Sequence, residues 1–367
     1  APARHERIRR RFLSKKPVIE SVPISFWNGE TQVAEAVLTY FARQSEAIRA
    51  KGIDDENVNT LYELKLTSSA EMIAGVRARE SGNLFEDPYA AQMAGQHGIA
   101  VAARFCERLP QLGGMVAART HHLDREILRF LSAGGRHLVF LGIGWDMRPF
   151  RLPLPAGTRV FELDFPTTLT ERDNRIAELA IEQPPDVARI GVPIDLRTMS
   201  LETVLRDYLT FDEPVFVAWE GMSMYFDEQE VQAVLAGIRQ VLQNPESRLW
   251  VDLVDRDPIR APEDFAPEVL SFVRGMQILG EPFIFGVNSV KGFMEANGFT
   301  CQQVVSSGTF LNGDSDDVHD LYRFCVASPA PHTELARDRS APAVRIDAAD
   351  GGAKWSIDMP RTDQVLR

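Results

Sequence analysis

Short apolar runs and segments with helical spacing of apolar residues alternate along the middle of the chain. Short apolar runs bounded by Gly or Pro are typical of buried strands, whereas apolar residues every three or four positions are typical of a helix that packs on one face. Because the two patterns alternate along the chain, they predict a parallel sheet covered by helices. The predicted elements are a strand at 138–141, a strand at 158–163, a helix at 167–182, a strand at 189–194, a strand at 214–219, a helix after the Asp227–Glu230 capping box and a strand at 248–254.

Further elements are predicted on both sides of this region. The stretch from Thr31 to Lys51 has apolar residues at helical spacing and is followed by Gly52. This pattern predicts a helix that packs on the main domain as a lid or as a dimer element. The remaining predicted elements are helices at 67–81, after Asp87-Pro88-Tyr89, at 115–132 and at 290–297, and strands at 300–306 and 321–327.

Composition divides the chain into three predicted parts. Residues 1–66 are expected to be a basic arm and helical lid, because 1–16 contain many arginines and lysines and a single acid, Glu6. We expect this arm to be solvated, with contact to an acidic surface as the alternative. After Ser328 the composition shifts to Pro, Ala, Asp and Arg with few large apolar residues, so 328–367 is predicted to be a tail and 67–327 the folded domain.

A glycine-rich turn follows the first strand of the alternating region. The segment Leu141–Arg148 (LGIGWDMR) places Gly142 and Gly144 directly after an apolar run. Without side chains at these positions the backbone can approach a ligand closely, and a carboxylate at the end of the next strand can bind two ribose hydroxyls. Glu162 and Asp164 are both candidates for that carboxylate, because residues two apart on a strand point the same way.

The residues after this turn discriminate between nucleotides. A dinucleotide-binding turn has a third glycine that lets the helix pack on the strand, and here that position is Met147. Asp146 places a negative charge where a pyrophosphate would lie, which is unfavourable, whereas a cationic sulfonium ligand would be attracted to it. The turn therefore favours S-adenosylmethionine over a nicotinamide dinucleotide.

Charge and cysteine content exclude several classes of function. The 367 residues include 52 acidic and 40 basic side chains, giving a net charge of −12, which disfavours a nucleic-acid partner. Cys106, Cys301 and Cys325 have no paired spacing, so neither a disulfide framework nor a zinc site is expected. No apolar run is long enough to span a membrane or to serve as a secretory signal, so we expect the protein in the cytoplasm with no membrane partner.

Several segments together resemble a known enzyme family. The turn at 141–148 and the strand end Phe161–Pro166 (FELDFP) resemble the leucine carboxyl methyltransferase family of S-adenosylmethionine-dependent O-methyltransferases. The resemblance covers roughly 67–327 and implies a Rossmann-like class I methyltransferase fold, an α/β fold with a mostly parallel seven-stranded sheet and helices on both faces. Segments typical of the natural-product branch of this family are Arg77–Ser81 (RARES), Asp87–Pro88, Asp195–Arg197 (DLR), Ala218–Tyr225 (AWEGMSMY) and Phe285–Gly286.

The resemblance also implies roles for individual residues. Trp145 and Met147 replace the small aliphatic residue and the threonine that are usual in the family, and could reshape the pocket above the sulfonium. The implied residues of the S-adenosylmethionine site are Gly142 and Gly144 as the cradle, Asp146 after the turn, Asp164 on the ribose, Asp195 and Leu196 beside the adenine, Arg119 on the methionyl carboxylate, and Glu220 at the amino-acid end.

Three residues are predicted to act on the acceptor: Tyr225 on the substrate side, Arg77 above the cofactor, and Arg148. Forked hydrogen bonds from Arg77, Arg148 and Arg79 could hold an anionic acceptor, although Arg148 and Arg79 could instead pair with the neighbouring acids Asp146 and Glu80.

Methyl transfer from a sulfonium is an in-line displacement, so the main demand on the protein is to align the acceptor and exclude water. A carboxylate acceptor, with a pKa of roughly 4, needs no general base, whereas a phenol, at about 10, does. His121, His122 and His319 are the candidate bases, and each is more often a packing or surface residue.

The predicted function is O-methylation of a carboxylate or hydroxyl of a small aromatic or polyketide-like molecule. The expected partner is therefore a carboxylic acid or phenol, and a homodimer is possible. The alternatives are methyl esterification of a protein C-terminus, a non-catalytic cofactor-binding protein and, more distantly, a nicotinamide dehydrogenase. The Arg77–Ser81 segment favours the small-molecule acceptor.

Overall fold

An antiparallel strand pair lies near the N-terminus of the computed structural model, which describes residues 18–28, 31–42, 69–278, 281–311, 316–331, 344–345 and 356–357. Strand β1 (Val18–Asn28) pairs with β2 (Thr31–Ala42). The helix predicted over 31–51 is therefore wrong over Thr31–Ala42, and 43–51 lie outside the described residues. The segment is rich in β-branched and aromatic residues and follows Asn28-Gly29, a sequence typical of hairpin turns.

Three helices precede the main sheet: α1 (Ser69–Glu80), α2 (Ala90–Arg108) and α3 (Gln111–Ser132). Helices α1 and α2 cross at two glycines. A Cβ atom on Gly75 would lie 2.5 Å from the carbonyl oxygen of Gly98, so only glycine permits this approach. This close crossing fixes α1, which lines the cavity described below.

The main sheet has seven strands in the order β5-β4-β3-β6-β7-β9-β8. The first five strands of this order are parallel, and β9 runs antiparallel to both β7 and β8. The prediction of a mostly parallel seven-stranded sheet is confirmed. The strands are β3 (His137–Leu141), β4 (Arg159–Asp164), β5 (Ala188–Pro193), β6 (Val215–Trp219), β7 (Arg248–Val254), β8 (Phe299–Ser306) and β9 (Tyr322–Pro329).

Eight further helices lie between the strands of the sheet along the described chain. Helix α9 was not predicted, and it contributes to the site. The helices are α4 (Arg148–Arg151), α5 (Pro166–Glu178), α6 (Leu201–Leu205), α7 (Glu228–Val241), α8 (Arg256–Arg260), α9 (Pro267–Ile278), α10 (Val290–Ala296) and α11 (Asp317–Asp320), with 3-10 turns at Ser223–Tyr225, Pro262–Asp264 and Ser307–Phe310.

Both faces of the sheet are buried. On β6, Phe216 belongs to an apolar cluster that includes Leu123 and Ile127 of α3, whereas Val217 belongs to a second cluster that includes Val234 of α7. Alternate residues of a strand point to opposite faces, so helices on both sides are required to cover them. This confirms the predicted layering.

The chain divides into two compact units after Pro329. The predicted tail boundary at 328 falls inside β9, the last strand of the main sheet. In the second unit, β10 (Val344–Arg345) pairs antiparallel with β11 (Ser356–Ile357). Within the described residues, no helix has both the length and the apolarity needed to cross a bilayer.

Candidate active site

A cavity of about 330 Å³ lies at the carboxyl ends of β3, β4 and β6, with α1 along one side. In open α/β sheets ligands bind at the carboxyl ends of the strands, and small-molecule pockets have volumes of roughly 300–1,000 Å³. The cavity is lined by eight of the residues predicted for the site, namely Arg77, Arg119, Gly142, Gly144, Asp146, Asp164, Glu220 and Tyr225.

The glycine turn between β3 and α4 forms one wall of the cavity. Gly142 and Gly144 have φ values of +70° and +47°, a region that favours glycine. A Cβ atom on Gly142 would overlap the sulfur of Met222, so glycine is also required for space. The amide nitrogens of Gly142 and Ile143 donate to the carbonyl of Leu163 at 2.8 and 3.1 Å, which attaches the turn to β4.

The two acids at the end of β4 have different environments. Glu162 is buried and accepts hydrogen bonds from Arg172 (3.2 Å) and Arg189 (2.8 Å). Burial favours a higher pKa for Glu162, but these two guanidinium groups outweigh it and lower the pKa. Asp164 lines the cavity, and its Oδ2 accepts from the amide of Gly144 at 2.9 Å. Of the two candidates, only Asp164 is placed to meet a ligand.

Glu220, at the carboxyl end of β6, is surrounded by three arginines. Its Oε1 lies 2.9 Å from Nη2 of Arg77 and 2.8 Å from Nε of Arg119, and its Oε2 accepts from Nη1 of Arg148. Burial favours a higher pKa, but the charges of Arg148, Arg77 and Arg119 hold the pKa of Glu220 well below its usual range. We call Glu220 with these three arginines and Asp146 the Glu220 cluster.

Arg148 is the innermost residue of the cluster. Its side chain has no exposed surface, and its three nitrogens donate to Asp124 (Nε, 2.6 Å), to Asp146 and Glu220 (Nη1), and to the carbonyl of Thr120 (Nη2, 3.3 Å). The structure does not bring Arg148 to the cavity wall. The alternative considered from the sequence, an ion pair with Asp146, is what the structure contains.

Three other residues that were predicted to contact a ligand do not line the cavity. Arg79 is largely exposed and pairs with Glu80, with 3.5 Å between Nε and Oε1. Asp195 and Leu196 are half-buried in the loop after β5 and do not line the cavity. Asp195 accepts from the amide of Arg197 at 3.0 Å, so its carboxylate shapes that loop.

The three candidate histidines all have structural partners and do not line the cavity. His122 accepts a hydrogen bond from the indole of Trp250 at 2.9 Å, and burial lowers its pKa to about 4. His121 contacts the carbonyl of Leu84 at 2.6 Å, and His319 lies within α11. None is placed to take a proton from a group in the cavity.

The two departures from the family pattern, Trp145 and Met147, pack against helices α1 and α2. Trp145 borders the cavity but packs mainly with Ala74 of α1 and Met93 of α2. The guanidinium of Arg175 lies 4.8 Å from the centre of its indole ring. Met147 is fully buried in the same cluster. Both residues therefore attach α1 and α2 to the main domain.

Sequence reasoning missed one wall of the cavity and one polar pair. The wall is apolar, and two of its residues come from the unpredicted α9. The polar pair is Tyr322 and Asp252, whose side chains hydrogen bond at 2.6 Å. An acid within the apolar run of β7 was the available signal for Asp252. The missed wall consists of Met72, Ile73, Leu112, Met115, Val116, Met224, Phe272, Met276 and Phe283.

The arrangement fits a ligand that has a diol and an amino-acid group. Asp164 supplies a carboxylate beside the open glycine turn, and the Glu220 cluster supplies buried charges of both signs. Among the residues that the structure describes, no acceptor is placed for the buried Nε–H of Arg77. A buried donor without an acceptor is unfavourable, so a ligand acceptor there would be stabilising.

Comparison with known proteins gives related sequences over the same region. A family model described as leucine carboxyl methyltransferase matches residues 70–239. A protein from Mycolicibacterium paratuberculosis, assigned to the S-adenosyl-L-methionine-dependent methyltransferases, is 36% identical over 201 residues, which cover 51% of this chain and 73% of that protein. A protein from Parafrankia with the same assignment is 31% identical over 218 residues, covering 57% of this chain and 67% of that protein.

One solved structure agrees in fold over nearly its whole length. It is a DUF574 family protein from Streptomyces avermitilis, with 16% identity and a TM-score of 0.52, covering 72% of this chain and 98% of that chain. At this identity the likeness concerns the fold alone.

Proposed function

The chain belongs to the leucine carboxyl methyltransferase family of S-adenosylmethionine-dependent methyltransferases, and we propose that it methylates a carboxylate oxygen of a small aromatic or polyketide-like acid. The observation that supports this best is the cavity itself. It joins the glycine turn and the Glu220 cluster to a wall of methionines and aromatic residues, and none of the described residues that line it is a histidine.

In this proposal the glycine turn and the acids around it bind the methyl donor. Gly142 and Gly144 cradle it and Asp164 binds the ribose hydroxyls, whereas Asp195 and Leu196, which do not line the cavity, are assigned no contact with it. Arg119 binds the methionyl carboxylate and Glu220 the ammonium group. When bound, S-adenosylmethionine supplies an electrophilic methyl group on a cationic sulfur.

Arg77 is our candidate for holding the acceptor carboxylate. It lines the cavity, it comes from α1, and its Nε–H has no acceptor in the described part of the chain. We assign Arg148 a positioning role, since its guanidinium orients Glu220 and Asp146 from behind. We assign Tyr225, which also lines the cavity, to the acceptor side.

The lining of the cavity favours a carboxylate over a hydroxyl acceptor. Burial raises the pKa of both Tyr225 and Tyr322, so both keep their protons at neutral pH. Glu220 is held ionised by three arginines and has no tendency to take up a proton. An acceptor with a pKa of roughly 4 is already ionised and needs no base, whereas a phenol at about 10 would need one.

The opposite wall favours an acceptor with an apolar body. Met72, Met115, Met224 and Met276 form much of it, together with Phe272. Methionine side chains adapt to irregular apolar shapes. Burying each methylene of an acceptor against such a wall is worth about 0.8 kcal/mol, so the apparent KM should fall by roughly fourfold for each methylene until the cavity is full.

A screen with radiolabelled methyl donor tests the proposal. Benzoates, aliphatic monocarboxylates, dicarboxylates and phenols are offered in parallel, and label transfer to each is measured. We expect transfer to apolar monocarboxylates, with little to dicarboxylates and none to phenols. Transfer to phenols alone, or a one-methyl mass shift at the C-terminus of a protein, would contradict the proposal.

We propose further that the reaction takes place in the cytoplasm.

A further inference from the structure

Two buried residues outside the predicted site hold part of the Glu220 cluster in place. We infer that Tyr322 and Asp252 are positioning residues, which orient Arg119 and the backbone after Glu220 and so set the affinity for the amino-acid end of the methyl donor. The inference rests on the role proposed above for Arg119. It concerns binding, and it can therefore be tested without any acceptor.

The hydroxyl group of Tyr322 joins an acid to an arginine. It donates to Oδ2 of Asp252 at 2.6 Å and accepts from Nη1 of Arg119 at 3.0 Å. A tyrosine hydroxyl has one proton, and here that proton is used on the carboxylate, so its lone pair faces the guanidinium. The arginine also lies against the ring, with 6.0 Å between Cζ and the ring centre. Tyr322 thus fixes the direction in which Arg119 points.

Asp252 holds the backbone of Gly221, which lies against the guanidinium of Arg119. Its two oxygens accept from the amide of Gly221 at 2.8 and 2.9 Å. Gly221 has a φ of +70°, and a Cβ atom there would lie 3.0 Å from Nη1 of Arg119. One fully buried carboxylate therefore sets the turn that follows Glu220 and, through Tyr322, the guanidinium that pairs with Glu220.

This geometry argues against a catalytic role for the pair. Burial and the charge of Asp252 raise the pKa of Tyr322 well above its usual value, so the hydroxyl cannot take a proton from an acceptor. The hydroxyl group already donates its proton to Asp252 and accepts a hydrogen bond from Arg119. What the pair can do is reduce the freedom of Arg119 before the ligand arrives, which lowers the cost of binding.

Calorimetric titration of Tyr322→Phe tests the inference. S-adenosylhomocysteine is compared with 5′-methylthioadenosine, which has the nucleoside but lacks the amino-acid end. We expect the variant to bind S-adenosylhomocysteine about tenfold more weakly, equivalent to ~1.4 kcal/mol, and methylthioadenosine unchanged within twofold. Tyr208→Phe is the matched control, since Tyr208 is 38% exposed and does not line the cavity.

Asp252→Asn is the second variant, because it keeps the size of the side chain if Tyr322→Phe folds poorly. It is expected to weaken S-adenosylhomocysteine binding selectively as well. Equal losses for both ligands in a folded variant, or no loss for either, would overturn the inference. These binding measurements need no acceptor, so they remain informative even if the enzyme methylates no acid. The proposal on the acceptor and the inference on Tyr322 and Asp252 can therefore fail separately.

Discussion

The charge balance of the Glu220 cluster can be tested by replacing Glu220 with Gln. The substitution keeps the size of the side chain but removes the charge that faces Arg77, Arg119 and Arg148. Asp146 and Asp124 still compensate Arg148, while the partners that Arg119 keeps among the described residues are Tyr322 and the more distant Asp252, 3.6 Å away. Arg119 then loses its nearest carboxylate, since Oε1 of Glu220 lies 2.8 Å from its Nε whereas Asp252 lies 3.6 Å from its Nη1.

Breaking a buried ion pair costs about 3–5 kcal/mol, and the retained amide oxygen places the expected loss near the lower value, about 3 kcal/mol. In a domain of this size such a loss lowers Tm by roughly 6–12 °C. Urea unfolding at neutral pH measures the difference. Glu295→Gln is the matched control, because Glu295 is half exposed in a surface pair with Lys291 and should cost less than about 1 kcal/mol.

The pH dependence gives an independent check on the same variant. The pKa of Glu220 in the folded protein lies below its usual value of 4.5, so its stabilising effect is complete above that value and is lost as pH falls further. The gap in unfolding free energy between wild type and Glu220→Gln should be constant near neutral pH and should narrow below about pH 4.5. A gap no larger than that of Glu295→Gln, or one that widens in acid, would refute the reasoning.

Three further predictions concern the glycine turn and two buried residues that do not line the cavity. Gly142→Ala should reduce stability by about 1–2 kcal/mol and weaken S-adenosylmethionine binding at least tenfold, because φ is +70° and the new Cβ meets Met222; chemical denaturation and calorimetry measure the two effects. Between pH 6.5 and 4 the free energy of unfolding should fall less in His122→Gln than in wild type, by up to about 3 kcal/mol. The reason is that the pKa of His122 is lowered to about 4 in the folded protein, so the unfolded chain takes up the proton first; urea titrations at both pH values measure the difference. Removing the charge of Glu162 with Glu162→Gln should destabilise by about 3 kcal/mol in thermal melts, because Arg172 and Arg189 lose their buried partner.

Features that depend on local sequence were predictable. The glycine turn needs residues without side chains at fixed positions, and Gly142 and Gly144 occupy them. Strand β6 and the capping box at Asp227, where both reciprocal hydrogen bonds are present, were likewise expected from a short window of sequence. The mostly parallel seven-stranded sheet followed from the family resemblance.

The error at β2 has a specific physical cause. Val33, Val37 and Phe41 are spaced by four, and that spacing fits both a helix of 3.6 residues per turn and a strand with a period of two. Periodicity alone could not separate the two structures. The β-branched content and the preceding Asn28-Gly29 pointed to a hairpin, which is the structure of Val18–Asn28 and Thr31–Ala42.

The sequence offered Asp146 as a partner of Arg148, but the rest of the buried charge distribution could not be predicted from it. Arg148 is surrounded by Asp124 from α3, Asp146 from the turn and Glu220 from the end of β6, which are far apart in the chain. Only tertiary structure shows that each of its three side-chain nitrogens has an acceptor, while Arg77 lines the cavity. The same holds for Glu162, whose arginine partners come from α5 and β5.

The most direct measurement of the central claim is the chemical form of the methyl group after transfer. The enzyme is incubated with donor labelled with carbon-13 in the methyl group and with an apolar monocarboxylic acid that also has a phenol group, and the product is examined by NMR before and after alkaline hydrolysis. The proposal predicts an ester methyl that alkali releases as labelled methanol. A methyl ether that survives alkali, or label found only in protein, would contradict it.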